Sequence, residues 1–181
     1  MASPVAHTLA GAVIYLVARR NERFRPGEFL IVVLAANLAD LDLIPGILMG
    51  DDKLFHRHAS HSLAAAAALV AVFYGWLKYA RYPHTRSLTA MVGVALLSQL
   101  GIDWLSYDPT TPQGIPLLWP FQDQYFMSDT SVFMNIRRDN AFTAEVIIHN
   151  LKAVLREAAI LGGPVLVLIW ARIRRQSTAD A

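Results

Sequence analysis

Five long apolar runs, separated by short polar segments, predict that this chain forms membrane-spanning helices. The runs are Val5–Ala18, Phe29–Met49, Leu63–Ala80, Leu88–Leu105 and Ala158–Ala171. Several are shorter than the ~20 residues that a spanning helix usually needs, but tilt or local thinning of the bilayer accommodates short spans. The alternative is a soluble all-α bundle, which would have little polar surface to keep it in solution. The pattern therefore favours an all-α, polytopic membrane bundle of about five spans.

The region between the fourth and fifth runs, residues 106–157, is richer in proline, aspartate and aromatic residues. It contains no run long enough to span a bilayer. Within it, Ala141–Arg156 has the periodicity of an amphipathic helix. We expect this region to form a partly helical extracytoplasmic loop within a single domain, because no internal repeat or low-complexity segment divides residues 1–181.

Composition supports a membrane protein and excludes some kinds of chemistry. Of the 181 residues, 55% are apolar and only 17% are charged, against roughly 25% charged in ordinary soluble domains. The absence of cysteine excludes disulfides and thiolate metal ligands. A formal net charge of +2 gives no support for nucleic-acid binding.

The distribution of basic residues predicts the orientation in the membrane. If the N-terminus is outside, the three inner segments are Arg19–Gly27, Arg81–Ser87 with the adjoining Lys78, and Arg172–Ala181. They hold ten of the sixteen lysines and arginines, although the outer segments are far longer. The positive-inside rule therefore predicts an outside N-terminus and a cytoplasmic C-terminus, in the cytoplasmic (inner) membrane of a bacterium or archaeon.

The stretch Asn37–His61 carries the strongest chemical signal. Asp40 and Asp42 lie inside an apolar run, where unpaired carboxylates are costly, and His56, His58 and His61 follow a short polar loop. Residues two apart point to nearly opposite sides of a helix, so the two aspartates can face one ion only if the helix ends or unwinds.

Pro45 gives a reason for such a break. On the other side of the loop, Ser60 is a candidate N-cap that would place His61 in the first turn of the next helix. His56 is expected in the loop itself, and His58 is as easily a solvated loop residue.

The predicted topology brings these groups to one membrane level. His7 lies at the outer end of the first run, and Gln99 and Asp103 lie near the outer end of the fourth, where they share one helix face. The predicted metal ligands are His7, Asp40, Asp42, His56, His61, Gln99 and Asp103. Mixed histidine and carboxylate ligands suit Zn²⁺, Mn²⁺ or Fe²⁺ better than Ca²⁺. So many ligands indicate one or two ions, most readily zinc, with an aspartate bridging when there are two.

The motifs also resemble those of the YdjM/DUF457 family. The resemblance rests on His7 with Gly11, Asp40-Leu-Asp42, His56-Arg57 followed by His61-Ser62, Asp103, and the loop PQGIPLLWPF at Pro112–Phe121. It covers about residues 5–121. It implies a multi-spanning inner-membrane helical fold and metal-dependent hydrolase activity. The implied divalent metal site is built on His7, Asp40, Asp42, His56, His61 and Asp103.

One departure from that pattern concerns a metal ligand. The family usually has Ser-His about four residues before this aspartate, whereas this chain has Ser98-Gln99. A glutamine offers only a neutral carbonyl oxygen, which is a weaker ligand than imidazole for such metals. Either one metal position is altered or lost here, or another residue such as His149 substitutes.

Three further residues are candidates for substrate binding. Arg57 is expected either to bind a phosphate or to pair with Asp51 or Asp52. Glu145 and His149 share one helix face, where they either reach substrate or form a solvated ion-pair face with Lys152. Asp108, Trp119 and Asp123 are candidates for the entrance. Ser60 and Ser62 are poor nucleophile candidates, because no Gly-x-Ser-x-Gly elbow is present.

Together these features predict a metal-dependent hydrolase at the outer membrane face, with Asp40, Asp42, His61 and Asp103 as catalytic residues. Its expected substrate is a phosphoester or related bond in a membrane lipid or lipid-linked molecule, because two neighbouring ions can activate water and hold both oxygens of such a bond. A metal or proton transporter is the alternative, since intramembrane aspartate and histidine also build transport sites. A third reading is an interaction protein with a structural metal.

Overall fold

The computed structural model describes residues 1–50, 57–109 and 111–179, with side chains to residue 175. Within these ranges the chain is helical and contains no β-strand, only isolated bridges that pair Ser106 with Phe133 and Ile115 with Phe126. The α-helices are α1 Pro4–Ala18, α2 Pro26–Ala35, α3 Leu43–Leu48, α4 Leu63–Tyr79, α5 Thr85–Trp104, α6 Ala144–Glu157 and α7 Gly163–Ala179. The all-α prediction is confirmed.

Two helices in the described part of the chain are long and apolar enough to cross a bilayer. They are α5, with 20 residues, and the helix Ala144–Arg175, with 32 residues. The bent pair Pro26–Ala35 and Ala39–Leu48 makes a third if it is one span, while α1 and α4 are shorter apolar helices. The apolar helices agree with the predicted membrane bundle, whereas the count of five spans stays a prediction.

The second apolar run unwinds at Asp40 and Asp42, as the sequence indicated, but Pro45 does not lie at the break. The bend is 58° and lies between α2 and a 3₁₀ turn, Ala39–Asp42, whereas Pro45 lies inside α3. Proline is tolerated there because the first turn of a helix needs no donor from its backbone nitrogen. The unwinding at Ala39–Asp42 gives the two aspartates their separate directions.

The predicted division between an amphipathic helix and a last span is also corrected. The helix α6 does form, but it continues into α7 through a π-helical segment, Ala158–Gly162. Gly162, Gly163 and Pro164 therefore do not interrupt the helix, because the π segment runs to Gly162 and α7 begins at Gly163.

The π segment lies where the helix meets the start of α1. Glu157 is fully buried there, and its carboxylate accepts the Ser3 backbone N–H at 2.7 Å and the Ser3 hydroxyl. The Ser3 hydroxyl in turn accepts the Val5 N–H and caps α1, with Pro4 at the first helical position. These contacts fix the beginning of α1 three residues before His7.

The core is built by α1 packed against α2 and α5, with α4 against α5 and α7 against α1. Gly11 permits the α1–α2 approach, since a Cβ added there would lie 3.0 Å from the Val33 Cα. The apolar centre of the bundle is formed by Tyr15, Val32, Ala95 and Leu96, all buried. Polar groups are thereby confined to the two ends of the bundle.

One end holds a buried ion cluster. The Glu28 carboxylate accepts hydrogen bonds from Arg19 at 2.9 Å, Arg25 at 3.0 Å and the Tyr82 hydroxyl at 2.7 Å. Arg172 of α7 donates to the Arg19 carbonyl at 2.9 Å. The basic segments around Arg19 and Arg172 therefore meet at the same end of the molecule.

Candidate metal centre

The opposite end of the bundle gathers two histidines and two aspartates from four different elements. His7 comes from α1, Asp40 from the 3₁₀ turn Ala39–Asp42, His61 from a second 3₁₀ turn, Ala59–His61, and Asp103 from the last turn of α5. The side chains of His7, His61 and Asp103 are fully buried, and that of Asp40 is 16% exposed. Access to this group from outside is therefore from the side of Asp40.

The four side chains alternate around a ring. The Nε2 atom of His7 lies 3.7 Å from Asp40 Oδ2 and 3.5 Å from Asp103 Oδ1. The Nε2 atom of His61 lies 3.3 Å from Asp40 Oδ1 and 3.7 Å from Asp103 Oδ2. Each carboxylate thus turns one oxygen to each histidine.

These separations fit ligands of a shared cation better than hydrogen bonds. Both oxygens of Asp103 and both ring nitrogens of His7 are buried without a hydrogen-bond partner, which is costly unless something else satisfies them. Distances of 3.5 and 3.7 Å exceed ordinary hydrogen bonds, whereas ligands about 2.0–2.1 Å from a tetrahedral ion lie about 3.4 Å apart. The group His7, Asp40 and Asp103, whose ligand atoms all lie within 4.8 Å of one another, could hold a metal ion.

Asp42 supports this ring from behind His61. Its Oδ2 atom lies 3.2 Å from His61 Nδ1 and also accepts hydrogen bonds from the Ser60 hydroxyl and, at 3.1 Å, from the Arg57 backbone N–H. A carboxylate on the far ring nitrogen fixes the tautomer and orientation of a metal-binding histidine. In this structure Asp42 therefore faces Nδ1 of His61, while Asp40 faces Nε2.

These contacts set the charge of His61. Burial lowers the pKa of His61, but hydrogen bonds to Asp40 and Asp42 and the charge of Asp103 outweigh burial and raise that pKa to about 9. In the metal-free protein the imidazole is therefore protonated at neutral pH. A metal ion must displace this proton, because only the neutral ring nitrogen is a ligand.

Metal affinity is consequently expected to rise with pH. Between pH 7 and about 9 the apparent zinc dissociation constant should fall about tenfold for each pH unit, and it should level off above the pKa of His61. Competition against a chelator of known protonation state, at half-unit pH steps, measures this dependence. A dissociation constant that does not change over this range would contradict the assignment of His61 as a ligand that must lose a proton.

Gln99 supports the turn that carries Asp40. Its side chain is fully buried, and its Oε1 atom accepts the Ala39 backbone N–H at 3.0 Å, while its Nε2 atom has no hydrogen-bond partner. The Oε1 atom of Gln99, which we predicted as a metal ligand, is therefore a hydrogen-bond acceptor for the backbone of Ala39 in this structure. Gln99 holds the 3₁₀ turn against α5, one helical turn before Asp103.

The predicted cap of α4 is wrong by two residues. Ser62, not Ser60, caps α4, because its hydroxyl accepts the Ala65 N–H at 3.1 Å. His61 accordingly lies in the 3₁₀ turn before α4 rather than in its first turn. The Ser60 hydroxyl donates to Asp42 instead. This arrangement aims the His61 ring inward, towards α1 and α5.

The remaining residues of the histidine loop have different outcomes. His56, together with Asp51 and Asp52, lies outside the described residues. His58 is exposed, as a solvated loop residue would be. The guanidinium of Arg57 pairs with the buried carboxylate of Asp108. Asp108 was a candidate for the entrance, and it was not among the partners that we expected for Arg57.

The α6 candidates lie away from the ring. Glu145 accepts a hydrogen bond from Arg137 at 2.7 Å on the exposed surface, and His149 Nε2 contacts the Asn135 carbonyl at 2.9 Å. The structure therefore does not bring His149 into the position left by Gln99. Trp119 and Asp123, the other entrance candidates, lie in a partly exposed loop.

A cavity of about 500 Å³ lies beside Arg57, and its walls also include Asp108 and His149, two further candidates for the entrance and for substrate binding. Its walls include Tyr107, Tyr125, Arg137 and Arg138, which are distant from the histidine loop in sequence.

One family model, described as YdjM inner membrane protein, matches residues 1–177. The match spans α1 to α7 and includes all four residues of the ring. No curated protein and no solved structure was found to match the chain.

Proposed function

Because this chain belongs to the YdjM inner membrane protein family, we propose that it is a membrane-bound hydrolase that depends on a divalent metal. Its proposed substrate is a phosphoester or related bond in a membrane lipid or lipid-linked molecule. The observation that carries the proposal is the ring of His7, Asp40, His61 and Asp103, in which the buried side-chain polar atoms of His7 and Asp103 lack hydrogen-bond partners. Burying unpartnered polar and charged groups of this kind costs free energy unless a bound cation interacts with them.

The alternation of the ring supports two metal positions rather than one. His7 Nε2, Asp40 Oδ2 and Asp103 Oδ1 would hold the first ion, and His61 Nε2, Asp40 Oδ1 and Asp103 Oδ2 would hold the second. Two such ions supply an activated water and electrostatic stabilisation of the entering and leaving oxygens of a phosphoester.

Residues around the ring would hold the proposed metal ligands in place. Asp42 holds the His61 ring, and the Ser60 hydroxyl and Arg57 N–H hold Asp42. The apolar core under the ring excludes water from the side of α1 and α5. A substrate would therefore approach over Asp40 and Asp42, the two partly exposed carboxylates.

We further propose five spans, with the N-terminus outside and the ring facing the extracytoplasmic side. The contact of Arg172 with Arg19 supports this orientation, because it places two of the basic segments at the end of the bundle remote from the ring. In this arrangement α1 and α4 are short spans, and the bent pair of α2 and α3 is one broken span.

The proposal predicts metal-dependent turnover of lipid phosphates. Detergent-purified protein loaded with Zn²⁺ or Mn²⁺ should release phosphate from phosphatidic acid or a lipid pyrophosphate, and dialysis against a chelator should abolish the release. Asp40→Ala and His61→Ala should each lose both the bound metal and the turnover while remaining folded by circular dichroism. Metal-loaded wild-type protein that turns over none of these lipids would contradict the proposal, and metal or proton flux in liposomes would then favour a transporter.

A further inference from the structure

The cavity beside Arg57 has the features of an anion-binding site. We call this cavity the arginine pocket. Six of the residues that line it define it here: Arg57, Tyr107, Tyr125, Arg137, Arg138 and His149. Its volume of about 500 Å³ is within the range of small-molecule sites. Guanidinium groups bind phosphate oxygens through paired donors, and tyrosine rings provide flat apolar walls.

The charges in the pocket leave capacity for an anion. The Asp108 carboxylate already pairs with Arg57 and, at 3.2 Å, with the Met1 amine. Arg137 pairs with Glu145, but the Glu145 side chain is 78% exposed, and a pair of this kind contributes little. Arg138 is exposed and forms no ion pair among the residues that the structure describes, although Asp139 also lines the cavity. Two guanidinium groups can therefore turn to a ligand at small cost.

The segment that carries these arginines is fixed to α6. The Asn150 side chain accepts the Arg137 N–H at 2.9 Å and donates to the Arg137 carbonyl at 2.8 Å. The neighbouring His149 contacts the Asn135 carbonyl. Backbone donors and acceptors satisfied in this way hold the segment without using the guanidinium groups. The pocket is thus organised before any ligand arrives.

The pocket is connected to the metal centre through Arg57. The backbone N–H of Arg57 donates to Asp42, which holds His61, whereas the side chain of the same residue lies in the pocket wall. A ligand in the pocket therefore lies on the side of the ring where Asp42 is partly exposed. This is the side from which the proposed substrate would approach.

The outer surface of α6 favours a lipid as the source of the anion. Ile147, Ile148, Leu151 and Leu155 are each more than half exposed, and their spacing puts them on one face of the helix. His149 and Asn150 of the same helix reach the arginine segment. The pocket therefore lies next to an apolar surface that suits the boundary between acyl chains and head groups.

We propose that the arginine pocket binds the phosphate-bearing head group of the substrate, with Arg137 and Arg138 as its anion-binding residues. The inference deepens the proposed function by naming the group that the protein recognises, although the pocket's binding of phosphate does not depend on hydrolysis. A phosphate on a lipid and a free phosphate share this chemistry, and the apolar face of α6 favours the lipid.

The test measures binding to protein freed of metal by dialysis, first against a chelator and then against buffer, so that neither the metal centre nor the chelator contributes. Isothermal titration in detergent compares dioctanoyl phosphatidic acid, dioctanoylglycerol and inorganic phosphate. We expect phosphatidic acid to bind, dioctanoylglycerol not to bind, and inorganic phosphate to bind more weakly. The double variant Arg137→Ala/Arg138→Ala should raise the dissociation constant for phosphatidic acid at least tenfold.

Two further variants make the result interpretable. Arg138→Ala alone changes an exposed side chain, so it should stay folded, and it should still weaken binding severalfold. Lys152→Ala is the matched control, because it removes a positive charge from exposed α6 surface outside the pocket, and it should leave binding unchanged.

Each outcome decides a different point. Equal binding of inorganic phosphate and phosphatidic acid, with the same loss in the double variant, would support the pocket with a free phosphate as its ligand. No binding, or binding that the double variant leaves unchanged, would overturn the inference. Metal-dependent turnover together with such a failure would leave the proposed function intact, and binding without turnover would contradict only the proposed function.

Discussion

Asp103→Asn is expected to remove bound metal from the protein while leaving its fold in place. Asp103 is fully buried, and its two oxygens face His7 and His61 without accepting any hydrogen bond. An amide has nearly the same shape as a carboxylate but carries no charge, and one of its two positions is a nitrogen that cannot bind a cation. One proposed metal position would lose a ligand and the other would keep only a neutral amide oxygen, so we expect the metal affinity to fall at least a hundredfold.

Elemental analysis of the purified variant beside the wild type measures this effect. The wild type should retain one or two equivalents of zinc, manganese or iron, and Asp103→Asn should retain less than about a tenth of that amount. Asp123→Asn is the matched control, because it makes the same chemical change in an exposed loop. Metal content that stays at the wild-type value in Asp103→Asn, with an unchanged melting temperature, would show that the ring is not the metal site.

The same substitution also separates two explanations of the buried ring. If the four side chains were a purely structural ion-pair cluster, loss of one negative charge would leave a protonated histidine without its partner and would destabilise the protein. If they are a metal centre, added zinc should also raise the melting temperature of the wild type and should raise that of Asp103→Asn much less. The change in melting temperature when zinc is added to the two metal-free proteins distinguishes these cases.

The residues of the ring could be predicted from the sequence because the chemical signal was local. Aspartates inside an apolar run and a histidine beside the next run are unusual enough to require a partner. The positive-inside rule then placed His7 and Asp103 at the same membrane level. What periodicity could not supply was the order around the ring, since that order depends on side-chain directions at two 3₁₀ turns.

Those turns explain the local errors. Pro45 was a reasonable signal for a helix break, but proline is also favoured in the first turn of a helix, and the structure uses it there. Ser60 was predicted as the cap from its residue type, and Ser62, which carries the same hydroxyl, is the cap in the structure. The choice between them was decided by Asp42, a residue eighteen positions before Ser60, which accepts the Ser60 hydroxyl.

The way in which the residues of the pocket come together could not be derived from the sequence, for a related reason. Arg57, Tyr107 and Arg137 are separated by long stretches of chain, and no periodic pattern relates them. They meet because α6 continues into α7 and carries Asn150 against the arginine segment. Contacts of this kind depend on how the loop region folds over the bundle, which hydrophobic patterning does not determine.

The opposite end of the bundle is expected to carry much of the protein's stability. Arg19→Met should lower the free energy of unfolding by about 3 kcal/mol, because Arg19 and Glu28 are both buried and the substitution leaves the Glu28 carboxylate with one cation fewer. Arg25 also contacts Glu28, but it is 34% exposed and more strongly screened, so it replaces Arg19 only in part. The melting temperature should fall by roughly 6–12 °C, while the metal content stays at the wild-type value.

Two companion variants identify the cause of that loss. Glu22→Gln removes the exposed partner of the same arginine and should cost less than about 1 kcal/mol, since the Glu22 side chain is 41% exposed. Arg19→Met/Glu28→Gln should be more stable than Arg19→Met, because glutamine no longer buries an uncompensated charge and still accepts the Tyr82 hydroxyl. If the double variant were less stable than Arg19→Met, the loss would come from packing of the arginine side chain rather than from the buried charge of Glu28.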